Sequence, residues 1–318
     1  MEIARGIAFA ALLALAAAPG RAADTLHVGK ASPTAIPMVP TEVGVQKGFF
    51  AKHGLDVELA DFAGGAKLHQ AMAAGSVDIG VGAGPELAFI AKGSPELAIC
   101  NAAGPPLFIG IAVPKDSPAK SAADLKGARI GVTTIGSLTY WVALELARQR
   151  GWGPGGISPV AVGGDAASMI AAFRTHTIDA GIVPTSLAFQ MEEHGEGRLL
   201  LPVSDYVGNL SAATIFATRH LIETNPDAIR RFILGWFDAV AFMRANKDET
   251  VRIASAMNGF APSVQAKEYD LTIKMFSTDC KFDAESLATL KRSFADLKLL
   301  DTAPDMTKLY TEEFLPKQ

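Results

Sequence analysis

The strongest constraint on how this chain folds is an internal repeat with an offset of about 100 residues. Val77-Asp78-Ile79-Gly80-Val81 returns as Ile178-Asp179-Ala180-Gly181-Ile182, and Leu87-Ala88-Phe89 returns as Leu187-Ala188-Phe189. Upstream of each, a Gly-Gly pair opens a helical pattern: Gly64-Gly65 leads to Ala74, and Gly163-Gly164 leads to Thr175. Further upstream, the short strand pattern Leu26-His27-Val28-Gly29 is matched by Ala128-Arg129-Ile130-Gly131-Val132. Val57-Glu58-Leu59 and Pro159-Val160-Ala161-Val162 fill the middle strand of each half. One such pair arises by chance, but several in the same order at nearly constant offset argue for duplication. Strands alternating with helices predict an α/β fold of two similar lobes. Each lobe would be a mainly parallel sheet flanked by helices and joined by right-handed crossovers.

The chain is expected to pass between the lobes twice. Leu107 to Val113 is an apolar strand running into the turn-rich Pro114-Lys115-Asp116-Ser117-Pro118, and Ala212 to Thr218 reads as the strand going back. The division expected is 23–112 plus 212–318 for lobe one and 113–211 for lobe two. Beyond Thr218 the pattern is helical. Asn225 suits an N-cap and Pro226 the first helical position. Ile229, Phe232, Ile233, Trp236, Phe237, Val240 and Met243 then recur at helical spacing as one apolar stripe, which places Trp236 in the core. Further helices are expected over Glu249–Met257, Ser263–Phe276, Ala284–Leu297 and Asp305–Phe314, packed on the first lobe. Two crossings permit hinge closure around a ligand.

Residues 1–22 read as an address rather than as fold. Arg5 supplies a positive start, Ile7 to Ala18 is an unbroken apolar and small run, Pro19-Gly20 breaks the helix, and Gly20-Arg21-Ala22 has small residues where a signal peptidase cuts. The run is too short to span a bilayer, and no later stretch reaches about 18 apolar residues, so no stable membrane insertion is expected. No cysteine near the cut offers a lipid anchor. A periplasmic location follows. There Cys100 and Cys280 are free to pair, although their spacing does not decide it. With 29 basic and 33 acidic residues and a formal charge of −4, the chain lacks the concentrated positive face that nucleic acid needs.

Catalytic constellations are missing. There is no Gly-x-Ser-x-Gly elbow and no His-Glu-x-x-His, and the six histidines lack ligand spacing. Glu192, Glu193, His194 and Glu196 read as a solvated charge run, and two lone cysteines exclude a four-thiolate zinc site. Gly80-Val81-Gly82-Ala83-Gly84-Pro85 has its third glycine misplaced for a dinucleotide loop. No enzyme activity, metal or cofactor is expected. What remains are loops at the carboxyl ends of parallel strands, each opening a helix whose free N–H groups suit a ligand. Four stand out: Gly64-Gly65, Gly84-Pro85-Glu86, Thr133 to Thr139, and Pro184-Thr185-Ser186. Ser137 and Thr139 add hydroxyls suited to a carboxylate or sulfonate, and capping by Ser137 is compatible with that role.

Gly48-Phe49-Phe50-Ala51-Lys52-His53-Gly54-Leu55-Asp56-Val57-Glu58-Leu59, Gly75-Ser76-Val77-Asp78-Ile79-Gly80 and Asp124-Leu125-Lys126-Gly127-Ala128-Arg129-Ile130-Gly131-Val132 carry a resemblance. With Gly136-Ser137, Ile178-Asp179-Ala180 and Asn225-Pro226-Asp227, they make the chain similar over residues 25–315 to a class of periplasmic substrate-binding proteins. The class serves the ABC importers of nitrate, sulfonates, taurine and thiamine-pyrimidine precursors. The resemblance implies a type II periplasmic-binding fold, a monomeric two-lobed clamp, and delivery of a small molecule to a membrane permease driven by an ATPase. It further implies a pocket lined by Thr34, Phe62, Gly64, Gly65, Gly84, Pro85, Glu86, Thr134, Gly136, Ser137, Leu138, Thr139, Asp165, Pro184, Thr185 and Tyr206. Phe62, Tyr140 or Tyr206 would stack on a ring. These loops hold no arginine, and Lys67 is the nearest basic residue, so an anion would rely on helix ends and hydroxyls. Glu86 and Asp165 suit an amine or a pyrimidine N–H instead. A small organic acid is the first expectation and an amino-bearing heterocycle the second. A ligand sensor docked on a receptor is the other role compatible with such a clamp. An enzyme of pyrimidine synthesis is disfavoured by the lone cysteines.

Overall fold

The computed structural model describes residues 23–32, 34–135, 137–153, 155–163 and 166–316. The expected leader, residues 1–22, lies outside them. The strands are β1 (Asp24–Lys30), β2 (Leu55–Asp61), β3 (Ile79–Gly82), β4 (Glu96–Ala103), β5 (Ile109–Pro114), β6 (Arg129–Val132), β7 (Ser158–Ala161), β8 (Ala180–Pro184), β9 (Gly197–Pro202) and β10 (Ala213–Thr218). Two five-stranded sheets form, ordered β2-β1-β3-β10-β4 and β7-β6-β8-β5-β9. Position for position the orders are the same, with β6 to β9 repeating β1 to β4. The fifth strand of each sheet, β10 or β5, comes in from the other lobe and runs antiparallel to both neighbours. The other four point one way. The division expected after residue 112 falls inside β5, whose pairings are with β8 and β9 of the second sheet. The first crossing is therefore residues 104–108, ahead of that apolar strand.

The repeated residues do the same work twice. Asp78 accepts the His27 backbone N–H at 2.9 Å, and Asp179 accepts that of Arg129 at 2.8 Å. Each aspartate thereby locks the start of its third strand to the first. Gly80 and Gly181 face a helix: an added Cβ would come within 2.6 Å of Met72 Sδ and of Met169 Sδ, respectively. Glycine at these two sites lets a methionine lie directly on the sheet. Gly29 and Gly131 are filled in the same way by Leu68 and Ile178.

Around the sheets run α1 (Val39–Gln46), α2 (Phe49–Lys52), α3 (Gly65–Ala73), α4 (Leu87–Ala91), α5 (Leu138–Gln149), α6 (Ala166–Arg174), α7 (Thr185–Glu193), α8 (Ser204–Val207), α9 (Arg219–Thr224), α10 (Pro226–Ala245), α11 (Lys247–Asn258), α12 (Pro262–Thr272) and α13 (Ala284–Asp296). The Asn225 side chain caps α10 by accepting the Ala228 N–H at 3.2 Å. Its stripe is buried in the first-lobe core, with Trp236 fully enclosed. The helix expected over Asp305–Phe314 is instead a short turn at Met306–Lys308 followed by extended chain. The reason is an open sheet edge: Ala98 of β4 donates to Leu309 O and accepts from Thr311 N, so the chain end covers an edge strand. On the same edge Cys100 and Cys280 form a disulfide with their Cα atoms 4.6 Å apart.

The last two helices tie the lobes together. Glu268 of α12 reaches the start of α7. On α13, Asp296 accepts the Trp141 indole N–H at 2.9 Å and Arg292 donates to Glu145 at 3.1 Å, both on α5. Leu290 of α13 also covers Gly84 in the first lobe.

Candidate functional site

The carboxyl ends of the parallel strands in each sheet carry the loops in question. In the second lobe the β6–α5 loop is organised by three hydroxyls. Thr133, Ser137 and Thr139 oxygens lie 2.9–3.0 Å apart, and Thr139 also accepts the Thr133 backbone N–H at 2.9 Å. Ser137 caps α5 by accepting the Tyr140 N–H at 3.2 Å. Ser137, Leu138, Thr139 and Tyr140 are half-buried and Thr134 is exposed. Ile135 is 61% exposed, an apolar side chain at the tip of an otherwise polar loop. Gly136 and Asp165 lie outside the described residues.

In the first lobe two expected residues, Gly65 and Glu86, meet. The Glu86 carboxyl rests between Gly65 and Gly82, where an added Cβ would come within 2.4 and 2.1 Å of it. One oxygen accepts the Ala83 N–H at 3.0 Å, and the other meets His69 Nε2 at 2.8 Å. The opposite ring nitrogen, Nδ1, meets Glu96 at 2.7 Å. Burial acts to discharge the imidazole, but the bonds to Glu86 and Glu96 and their charges outweigh it and raise its pKa to about 9. A second buried cation sits at the end of β1, where Lys30 pairs with Glu42 and, at 3.0 Å, with Asp61. Phe62 is half-buried over Gly29, Gly64 is exposed with open space beside it, Thr34 is exposed, and Pro85 is half-buried.

Three expected contacts are placed differently. Gly84 is buried beneath Leu290 and Ser211. The Thr185 hydroxyl is buried and donates to Glu268 at 3.0 Å, while Pro184 beside it is exposed. Tyr206 is 8% exposed among the packed residues around α5 and α8, and burial pushes its hydroxyl well above the ordinary value. Gly84 and Thr185 face protein because α13 and α12, respectively, cover them.

A family model described as NMT1/THI5 like matches residues 37–250. The chain belongs to that family. It is 30% identical over 220 residues to a Brucella abortus (strain 2308) chain named only as a binding protein, covering 68% of this chain and 66%, just under two thirds, of that one. It is 27% identical over 296 residues to 4-amino-5-hydroxymethyl-2-methylpyrimidine phosphate synthase of Candida albicans (strain WO-1), covering 87% and 84%. Among solved structures, the periplasmic aliphatic sulphonate binding protein of Escherichia coli matches with a TM-score of 0.77 at 21% identity, over 91% of this chain and 92% of that one. That likeness is one of fold. This member of the NMT1/THI5-like family has the α/β architecture of periplasmic binding proteins.

Sequence reasoning passed over His69, Glu96, Lys30 and Glu268. His69 lies between Leu68 and Met72 on the buried face of α3, and a histidine there needs polar partners, which is a signal present in the helical spacing. Glu268 had none, because its partner Thr185 is 83 residues away. Among the described residues no cluster of three metal-ligating side chains forms, and no helix is long and apolar enough to cross a membrane.

Proposed function

We propose that this protein is the periplasmic solute-binding component of an ABC uptake transporter. It would close two lobes over a small organic ligand and hand it, as a monomer, to a membrane permease driven by an ATPase, after losing residues 1–22. The observation that carries this reading is the pair of sheets with one strand order and two crossings, each presenting ligand-type loops at the ends of its parallel strands. The family match and the fold of the sulphonate-binding neighbour support it. Against an enzyme of pyrimidine synthesis, whose branch uses a cysteine-rich motif, stands the state of the cysteines, both of which are consumed in one disulfide. The ligand we favour is a small organic acid, sulfonate or carboxylate, received at the start of α5 by Ser137, Thr139 and free helix amides. The site would include Thr34, Phe62, Gly64, Gly65, Glu86, Thr134, Leu138 and Pro184. A second reading, an amino-bearing heterocycle, is favoured by one observation: among the expected first-lobe site residues, Glu86 brings a partly exposed carboxylate.

The test is a thermal-shift panel on residues 23–318 freed of ligand by unfolding and refolding. The panel holds alkane- and arenesulfonates, carboxylates, nitrate, aminopyrimidines and amines. A ligand at 1,000 times its Kd adds about 4 kcal/mol, a rise in midpoint of about 6–8 °C for a chain of this size. A shift with one class identifies the ligand type, and no shift with any of them refutes the ligand assignment.

A further inference from the structure

We propose that His69 is a positioning residue for Glu86, and that together they make the first-lobe side of the cleft a subsite that takes an N–H donor and rejects an anion. The inference rests on the reading of these loops as the ligand site and names the chemistry of one end of it. Both nitrogens of His69 lie within 2.8 Å of carboxylate oxygens, which only accept hydrogen bonds when ionised. Between two ionised carboxylates such a ring is an imidazolium, in keeping with its raised pKa. Phe89 stacks on it at 4.7 Å and Phe216 meets its edge at 4.8 Å, so it has no room to turn. The charged groups that meet it are Glu86 and Glu96, and its aromatic neighbours are neutral.

Glu96 is fully buried and cannot itself reach a ligand. Its role is to hold the charge of His69, which in turn holds Glu86. The Glu86 side chain keeps 15% exposure, one partner on each oxygen, and the remaining lone pairs free. Gly65 and Gly82 leave the space the carboxyl occupies, since a Cβ on either would collide with it. One imidazolium between two carboxylates has a net charge of −1. The neighbouring group of Lys30 with Glu42 and Asp61 has the same balance. The start of α3, which the sequence offers to an anion, thus already faces a fixed carboxylate of the chain. A positioned, ionised acceptor in partly dry surroundings favours a charged or polar N–H donor and repels a second anion.

Two measurements test this. The first needs no ligand: ring 15N signals of His69, assigned by their loss in His69→Gln, are followed from neutral to alkaline pH. Both nitrogens should stay protonated through neutral pH and titrate near about 9, and at lower pH in Glu86→Gln. A neutral ring at neutral pH overturns the proposal. The second compares isosteric probes, benzamidine and benzoate, by calorimetry. The preference for benzamidine over benzoate should fall at least about tenfold in Glu86→Gln, whichever probe binds tighter in the wild type, because benzoate is also received at the start of α5. Should His69→Gln fail to fold because Glu96 loses its partner, Gly82→Ala displaces the carboxylate while keeping the charges and should lower the same preference. A preference unmoved by Glu86→Gln refutes the subsite. Binding of neither probe with His69 still cationic also refutes the subsite, while leaving the solute-binding reading to the ligand panel.

Discussion

Glu268→Gln tests the reasoning about buried charge most directly. Glu268 is 1% exposed, and its partners are the neutral groups Thr185 Oγ1, Ser186 N and Gln265 Nε2. Burial, opposed by those hydrogen bonds, raises its pKa from 4.5 to about 7. At about 1.4 kcal/mol per pH unit, the ionised form in the folded state costs about 3 kcal/mol relative to the unfolded chain. The sign follows from proton binding. Below the unfolded value both states hold the proton and nothing is lost. Between 4.5 and about 7 the folded state keeps a proton that the unfolded chain has released, so stability falls as pH rises. Above that window both are ionised and the full cost is present. Glutamine keeps the acceptor for Thr185 and Ser186. Its new amide finds Gln265 Oε1, which has no partner among the described residues, once the Gln265 amide turns over. The variant should match the wild type near about pH 4.5 and exceed it by up to about 3 kcal/mol near about pH 8. That is a rise in midpoint of about 5 °C, given about 2 cal/mol/K of unfolding entropy per residue. Calorimetric midpoints of both proteins across the window measure it. If the helix start of α7 rather than burial governs the carboxylate, the variant loses stability throughout and is weakest at alkaline pH, which would refute the argument.

Two further outcomes follow from the same structure. Replacing Cys100 and Cys280 together by Ala releases a closure across 180 residues and should lower stability by about 3–5 kcal/mol, read as a drop in denaturation midpoint that reductant reproduces in the wild type; equal midpoints would refute it. Replacing Ser137 and Thr139 by Ala should weaken any anion identified in the panel by about 1–3 kcal/mol in calorimetry, and unchanged affinity would remove the β6–α5 loop from the site.

The architecture was legible because duplication is written in residues that touch the backbone. Asp78 and Asp179 close equivalent strand pairs, and Gly80 and Gly181 each admit a methionine, Met72 and Met169, so the repeated strings carry the sheet order with them. The position of the first crossing was not legible to that accuracy. Leu107 to Val113 is apolar throughout, as a strand buried on both faces must be, and such a run does not say which sheet it joins. The chain end was misread as helix for a related reason: its apolar spacing suits both a helix and an edge cover, and the open side of β4 decides. At the site, hydroxyls and glycines adjacent in sequence were found, whereas partners brought from a distance were not. Thr185 looks like a ligand contact until Glu268 of α12 is placed against it.

The two lobes answer the same topological problem in opposite ways, and this bears on how a ligand would lie. The loop after β3 and the loop after β8 are equivalent in the duplication, and each meets a carboxylate of the chain itself. Glu86 takes the Ala83 N–H in the first lobe, and Glu268 takes the Ser186 N–H in the second. Glu86 keeps an open edge, while Glu268 is sealed. Helix ends that a ligand anion would otherwise seek are thus closed to it at both places. Among the described loops, the start of α5 remains, where hydroxyls rather than charges complete the helix end. On the proposed reading, an oxyanion belongs at the second lobe and a donor group at the first. A ligand carrying both would bridge the lobes and draw them together, whereas one carrying only the anion would contact a single lobe and give closure little to work with. Small-angle scattering in the presence of the panel's strongest binder discriminates the two, because only the bridging ligand should reduce the radius of gyration.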